Sequence, residues 1–294
     1  MTVSQQPTDP HLPVGRIPGS AAAVVSAPVG GVRAFPPRWA GYAPDMPEGH
    51  LIHRYAREQH HALAGGDVTL SSPQGRFDPA PYAGRSLGAV EADGKHLLYH
   101  FPDAPVLHVH LGMRGLFLRY DDPAVPPRPG TRLRLAGPTV AYDLIAPIRC
   151  EPLPADAERA LRASLGPDPL RGDADPAEAV RRLTATGAAV GAALLDQAVW
   201  AGIGNAWRAE LLFLAGLDPD ARSVGAPAAE RLWRLAVVHL ALGRDLGQVV
   251  SDPTAPDERW VYKREHCRRC GSPVRTWQVG GRTAYACPVD QPAG

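Results

Sequence analysis

The run Cys267-Arg-Arg-Cys270, followed after sixteen residues by Cys287-Pro-Val-Asp290, constrains the fold more than any other feature of this chain. A hairpin-like stretch from Val274 to Ala286 lies between the two knuckles and turns at Gly280-Gly281. Two short ligand knuckles bracketing such a turn have the spacing of a zinc ribbon, in which one tetrahedral ion clamps a hairpin. A hairpin this small buries no core of its own. Metal binding then supplies its folding free energy, about 10–16 kcal/mol in zinc-finger peptides near pH 7. The expected ligands of a single structural zinc are Cys267, Cys270, Cys287 and Asp290, with a carboxylate in place of a fourth thiolate. His266 is a poorer ligand, because adjacent knuckle residues rarely both point inward.

A chain of 294 residues, 45% of them apolar, has room for about two domains with real cores. Of its 4 cysteines three belong to the ribbon and Cys150 stands alone. That usage indicates metal binding in a reducing cytosol and argues against a disulfide scaffold. A net charge of +1 points to no acidic partner, so basic character is local: Tyr262 to Cys270, with Arg275 and Arg282, makes the ribbon cationic. A solvated charged face is the plainer reading of that cluster. No apolar run is long enough to span a membrane. Residues 1–46 lack the basic start and leucine-rich core of a secretory signal and show no periodicity. They are expected to be disordered, or not genuinely translated.

Past that extension, the apolar spacing predicts a helix from about Glu48 to Ala64, ended by Gly65-Gly66. Short β-like runs follow, at 68–71, 86–92, 96–101, 107–111, 115–119, 131–136 and 139–144. Their spacing suggests an antiparallel sandwich or barrel, closed by a Pro-rich passage from Pro147 to Pro154. Helices are expected at 155–164, 176–184, 190–200, 206–214 and 227–246. Trp200-Ala-Gly-Ile-Gly-Asn205 sits between two of them; its glycines permit a tight turn, and the N–H groups of the next helix can face an anion. An ordinary helix-connecting loop explains the same residues.

Taken in order, Met46-Pro-Glu-Gly49, His110-Leu-Gly-Met-Arg-Gly115, Leu194-Leu-Asp-Gln197 with Ala201-Gly-Ile-Gly-Asn205, and the ribbon ending Cys-Pro-x-x-Gln make a specific set. The set resembles the formamidopyrimidine-DNA glycosylase/endonuclease VIII family of bifunctional DNA repair enzymes, from Met46 to Gln291. The Pro-Glu-Gly-His start looks more like the endonuclease VIII branch, especially its actinobacterial members. The resemblance implies an α+β fold: an N-terminal β-sandwich with a leading helix (47–150), a helix–two-turn–helix domain (151–258) and a zinc-ribbon finger (259–294). It also implies a base-excision glycosylase and abasic-site lyase for oxidised bases, pyrimidines favoured, acting on damaged double-stranded DNA as a cytoplasmic, nucleoid-associated monomer.

By the same resemblance Pro47 is the nucleophile, since an N-terminal proline is a secondary amine able to attack a sugar carbon. Glu48 shuttles protons, Lys95 contacts phosphate and assists the lyase steps, and Arg282 binds a phosphate and acts in δ-elimination. His110 and Asn205 hold phosphates beside the lesion, and Met113 fills the gap left by the extruded nucleotide. Each residue has a plainer explanation: a helix N1 proline, a first-turn acid, a solvated lysine, a surface arginine, a core histidine, a helix cap and a buried methionine. Pro47 is internal in the sequence, and an amide nitrogen has no free lone pair. Translation from Met46 with loss of methionine is the favoured way to free it; the alternative function is a non-catalytic DNA-binding protein with the proline blocked. Leu51 stands where many relatives carry a glutamate.

Overall fold

The computed structural model describes the backbone of residues 32–35 together with residues 47–293. Two antiparallel sheets form its first half. One runs, in spatial order, β1 (Val32–Phe35), β6 (Leu116–Tyr120), β8 (Ala141–Ile145), β7 (Thr131–Ala136) and β2 (Thr69–Ser71). The other runs β3 (Ala89–Asp93), β4 (His96–His100), β5 (Val106–His110) and β9 (Arg149–Leu153). Alternation sends Leu97 and Tyr99 of β4 and Leu133 and Leu135 of β7 into one shared core. Helix α1 (Gly49–Leu63) adds Ile52, Tyr55 and Leu63 to that core, and Tyr55 meets Phe117 edge-on at 5.2 Å. Leu51 is buried there as well, so the place of a relative's glutamate is an apolar core position.

Three expectations need correction. Residues 32–35, expected to lack structure, form a strand whose register runs from Val32 opposite Tyr120 to Phe35 opposite Phe117. Without it β6 would be the border of its sheet, and its open backbone groups are what a neighbouring extended segment pairs with. The remainder of the 1–46 expectation lies outside the described residues. The Pro-rich passage 147–154 is not merely a boundary, because Arg149–Leu153 pairs with β5 along its whole length. Pro152 is tolerated because β9 is an edge strand, where a missing N–H breaks no ladder on the open side. The helix expected at 190–200 stops after one turn, as α4 (Val190–Ala193). Asp196 then accepts from the Ala198 N–H at 2.9 Å, the local side-chain bond that competes with helix continuation.

Four further helices, α2 (Ala155–Ser164), α3 (Pro176–Ala185), α5 (Asn205–Ala215) and α6 (Ala226–Leu246), make the second half. Asp175 caps α3 by accepting from Ala177 N at 2.8 Å, with Pro176 in the first turn. Trp200, Trp207, Phe213, Trp233 and Leu240 fill the core between α3, α5 and α6. The ribbon hairpin, β10 (Arg275–Val279) and β11 (Arg282–Ala286), packs against α5.

Candidate active site at the junction of sandwich and helices

Helix α5 begins without a capping side chain, because its N-cap is Gly204. Its first N–H groups therefore need an acceptor from elsewhere. Glu48 supplies it from 156 residues away: one carboxylate oxygen accepts from Gly204 N at 2.9 Å and Trp207 N at 3.3 Å. The other oxygen accepts from Ala206 N at 2.8 Å. The helix N-terminus, positive by its dipole, favours a carboxylate there. The anion expected at this turn is thus Glu48 itself. A Cβ on Gly204 would lie 2.3 Å from the Glu48 carboxyl carbon, so only glycine fits. Gly49 packs as closely, with its N–H donating to Gly202 O at 2.9 Å and an added Cβ meeting Gly202 Cα at 2.7 Å. Half-buried Pro47 immediately precedes this interlock.

Lys95 reaches the same turn from the β3–β4 hairpin, and its ammonium donates to Ile203 O at 2.6 Å. Burial pulls its pKa below the ordinary lysine value, Glu48 pulls it back up and Arg282 pushes it further down. Gln197 holds the turn's shape, accepting from Gly202 N at 3.0 Å and donating to Ile203 O at 3.0 Å.

Asn205, the first residue of α5, donates its amide to Thr283 O of β11 at 3.1 Å, while its buried Oδ1 has no hydrogen-bond partner. An orphaned buried acceptor at the mouth of a cationic ribbon is a group with unmet bonding capacity. One turn along, Arg208 joins the ribbon to the same helix. Its guanidinium donates to Val279 O at 2.8 Å, Thr283 O at 2.7 Å and Gly191 O at 3.3 Å. Burial brings its pKa down to about 10. The sequence reading missed Arg208, although its i+3 spacing from Asn205 places both on one helix face.

His110 accepts from Gly112 N at 3.0 Å through Nδ1. That bond leaves the ring proton on Nε2. Burial, with His108, Lys95 and Arg149 nearby, pushes its pKa down to about 4, so the ring is neutral at pH 7. His96 stands 4.8 Å away, edge-on to His110, and shares a 2.9 Å nitrogen–nitrogen contact with His108. Met113 is 55% exposed and Ile148 64% exposed, and an added Cβ on Gly112 would lie 2.4 Å from Ile148 Cγ2. Two large apolar side chains thus project beside His110. Arg282, exposed at the start of β11, brings its guanidinium to 3.4 Å from Met113 Sδ.

The four expected ligands come together in the ribbon. One ligand atom from each of Cys267, Cys270, Cys287 and Asp290 lies within 4.8 Å of the other three. The Cys270 and Cys287 sulfurs are 3.4 Å apart, and Cys267 Sγ is 3.4 Å from an Asp290 oxygen. Sulfurs bound to one tetrahedral ion at about 2.3 Å lie roughly 3.8 Å from each other. The donor set therefore fits a single thiolate-preferring ion after a shift of a few tenths of an ångström. His266 is not part of the cluster. Asp290 also meets Arg269 at 3.1 Å, an ion pair that competes for one of its oxygens.

Two buried carboxylates that the sequence reading passed over complete the junction. Glu210 of α5 accepts from Trp260 N at 2.8 Å, Val261 N at 3.0 Å and Tyr262 N at 2.9 Å, fixing the lead into the ribbon. Asp168 bonds His53 of α1 at 2.7 Å and the Gly94 N–H of the lysine hairpin at 2.8 Å.

Known proteins match most of this chain. Residues 46–142 match the formamidopyrimidine-DNA glycosylase N-terminal domain, and residues 165–250 match the formamidopyrimidine-DNA glycosylase H2TH domain. Endonuclease 8 1 of Mycobacterium tuberculosis is 39% identical over 267 residues, covering 84% of this chain and all of that protein. A probable endonuclease 8 2 of Streptomyces coelicolor is 36% identical over 265 residues, covering 84% of this chain and 94% of its own length. The fold matches that of Lactococcus lactis formamidopyrimidine-DNA glycosylase, solved non-covalently bound to DNA containing an AP site. The TM-score is 0.70 at 22% identity, over 84% of this chain and 100% of that one.

Proposed function

This chain belongs to the formamidopyrimidine-DNA glycosylase family, and on that premise we propose that it is a bifunctional DNA glycosylase and abasic-site lyase of base excision repair, working through the nitrogen of Pro47. The observation that carries this reading is the grip of α5 on Glu48. It fixes a carboxylate one residue from Pro47 and within the field of the Lys95 ammonium.

The free proline nitrogen attacks the anomeric carbon of the damaged nucleoside, and the base leaves with the electrons of the glycosidic bond. Glu48 hands a proton to the sugar oxygen or to the departing base. The proline nitrogen loses its proton, the bond from the anomeric carbon to the ring oxygen breaks as that oxygen is protonated, and the resulting iminium acidifies the 2′ hydrogen, whose removal expels the 3′ phosphate and cuts the strand. Lys95 serves the phosphate and the lyase steps, and Arg282 assists a second elimination. A base inside a duplex is out of reach of Pro47, so the nucleotide is everted, at a cost of a few kcal/mol. Met113, with Ile148 beside it, fills the vacated space, as apolar wedges do in kinked DNA. The Nε2–H of His110 and the second N–H of the Asn205 amide, whose first goes to Thr283 O, serve the flanking phosphates.

Oxidised pyrimidines are the proposed substrates, supported by the Pro-Glu-Gly-His start and by relatives named endonuclease 8. Cys267, Cys270, Cys287 and Asp290 would hold one zinc ion, whose part is structural: it clamps the two knuckles of the hairpin that carries Arg282. Among the described residues no helix is long and apolar enough to cross a membrane. We place the protein at the cytoplasmic nucleoid as a monomer, with residues 47–150, 151–258 and 259–294 as its working domains. Pro47 follows Met46 in the sequence, so initiation at Met46 with loss of the methionine is what frees the nucleophile.

Borohydride trapping on abasic-site DNA tests the assignment. A chain beginning at Pro47 should give a covalent protein–DNA adduct, and absence of any adduct would remove the enzyme reading.

A further inference from the structure

Asp168 is 2% exposed and uses both of its oxygens. Oδ1 accepts from Leu170 N at 2.8 Å, an ordinary local turn bond. Oδ2 does something a local turn does not need. It meets His53 Nε2 at 2.7 Å and accepts from Gly94 N at 2.8 Å, 74 residues away. Gly94 has φ +56 and immediately precedes Lys95. Its surroundings are tight, since an added Cβ would lie 3.0 Å from Ala201 Cβ and 3.2 Å from Gly202 N.

The loop bearing Asp168 is itself laced to the turn that receives the lysine. Gly166 N donates to Gln197 O at 2.8 Å, and Ala201 N donates to Pro167 O at 3.1 Å. The hairpin is therefore held at two points by one rigid segment of the helical half: Asp168 grips the peptide before Lys95, and Ile203 O receives its ammonium. Resting on the reading of Lys95 given above, we propose that Asp168 is a positioning residue that aims Lys95 at the reacting sugar and its phosphate. Asp168 touches no reacting atom. It acts by fixing the backbone from which the lysine departs, with His53 holding the carboxylate in place.

Asp168→Asn in the chain beginning at Pro47 isolates this role. It keeps the volume and the bond to Leu170, but sets an amide NH2 against the Gly94 N–H. Single-turnover cleavage of an abasic-site duplex at saturating enzyme should slow about tenfold to a hundredfold, the scale of an ångström misplacement. Affinity for a duplex carrying a tetrahydrofuran abasic analogue should stay within about twofold, since no DNA contact is removed. In a Lys95→Ala background the same substitution should change the rate hardly at all, because its effect passes through the lysine. Gly94→Ala, which leaves the carboxylate intact and crowds Ala201, should give the same signature, and it carries the test if Asp168→Asn does not fold. A rate loss of equal size with and without Lys95, or no loss in its presence, would overturn the proposal and leave the lysine assignment standing. Full activity of Lys95→Ala alone would instead remove that assignment, and this proposal with it.

Discussion

The β-sandwich and the junction beside it are held together by different physics. Inside the sandwich Leu97, Tyr99, Leu107, Phe117, Leu133 and Leu144 are fully buried, and the Arg134–Asp143 ion pair, at 3.0 Å, is buried on both sides. At the junction the buried groups are charged: Glu48, Asp168, Arg208 and Glu210, each bonded chiefly to backbone N–H or C=O of another element. Apolar packing is strong and nearly direction-free, so it sets stability and tolerates small shifts. Charge-assisted bonds to fixed backbone groups are directional, and they set the angle at which two elements meet. The sandwich supplies the anvil, and the junction aims what is mounted on it.

The largest expected effect is on chemistry alone. A chain beginning at Pro47 should form the borohydride-trapped adduct, while the chain carrying residues 1–46 should give none, although both keep the same helical signal by circular dichroism. Adduct formation by a verified full-length chain would show that the junction aims some other nucleophile. Next, Glu48→Gln should lower the single-turnover rate by about 100- to 10,000-fold, the range for a lost acid–base group. Its melting temperature should fall by several degrees, because one oxygen still accepts from α5 while an amide NH2 now faces an N–H that the other oxygen held.

Leu133→Ala tests the other side of the contrast. It should cost about 2–5 kcal/mol in urea unfolding, as buried leucine truncations do. The rate per folded molecule should be unchanged, and a large loss of rate would erase the distinction between anvil and aim. Metal removal comes next. One zinc per chain is expected by metal analysis, and chelation or Asp290→Ala should weaken DNA binding several-fold while the sandwich keeps its melting transition. The ribbon stays docked in part, because Arg208 and Asn205 still hold Val279 and Thr283.

A further test is pH. His50 is fully buried, accepts from Trp207 Nε1 at 2.8 Å, and has its pKa lowered by burial, then by Arg259 and Arg54, to about 3. His96 is likewise lowered to about 3 and His110 to about 4, burial being the main cause for both. The unfolded chain takes up protons on these rings below about pH 6.5, where the folded chain refuses them. Stability therefore rises with pH across that window and falls on acidification from about 6.5 towards 3. Urea midpoints at several pH values check this, and His50→Gln should flatten the slope.

The two regions also differed in how far they could be read from the sequence. Strand alternation and cysteine spacing carry the sandwich and the ribbon, because each is a local pattern. Pro152 hid β9, since its tolerance depends on an edge position that only the assembled sheet defines. Pro47, Glu48, Lys95 and Asn205 were reached through resemblance to a family. Asp168, Arg208 and Glu210 were not reached at all, because their partners are backbone atoms some 50 to 75 residues distant and leave no periodic trace. Directional contacts of that kind are written in the fold and scarcely in any short window of residues.

Strand β1 carries a last consequence. It covers the open side of β6, whose five residues would otherwise present unpaired peptide groups along the rim of the sheet. The polypeptide with a free amine at Pro47 lacks that strip, so a reactive nitrogen and an uncovered rim come together in the same chain. Exposed rims seed growth between copies, and the positive charge of Arg119 is the guard left on this one. Concentrated stocks of the shortened protein should therefore self-associate more readily than the longer chain.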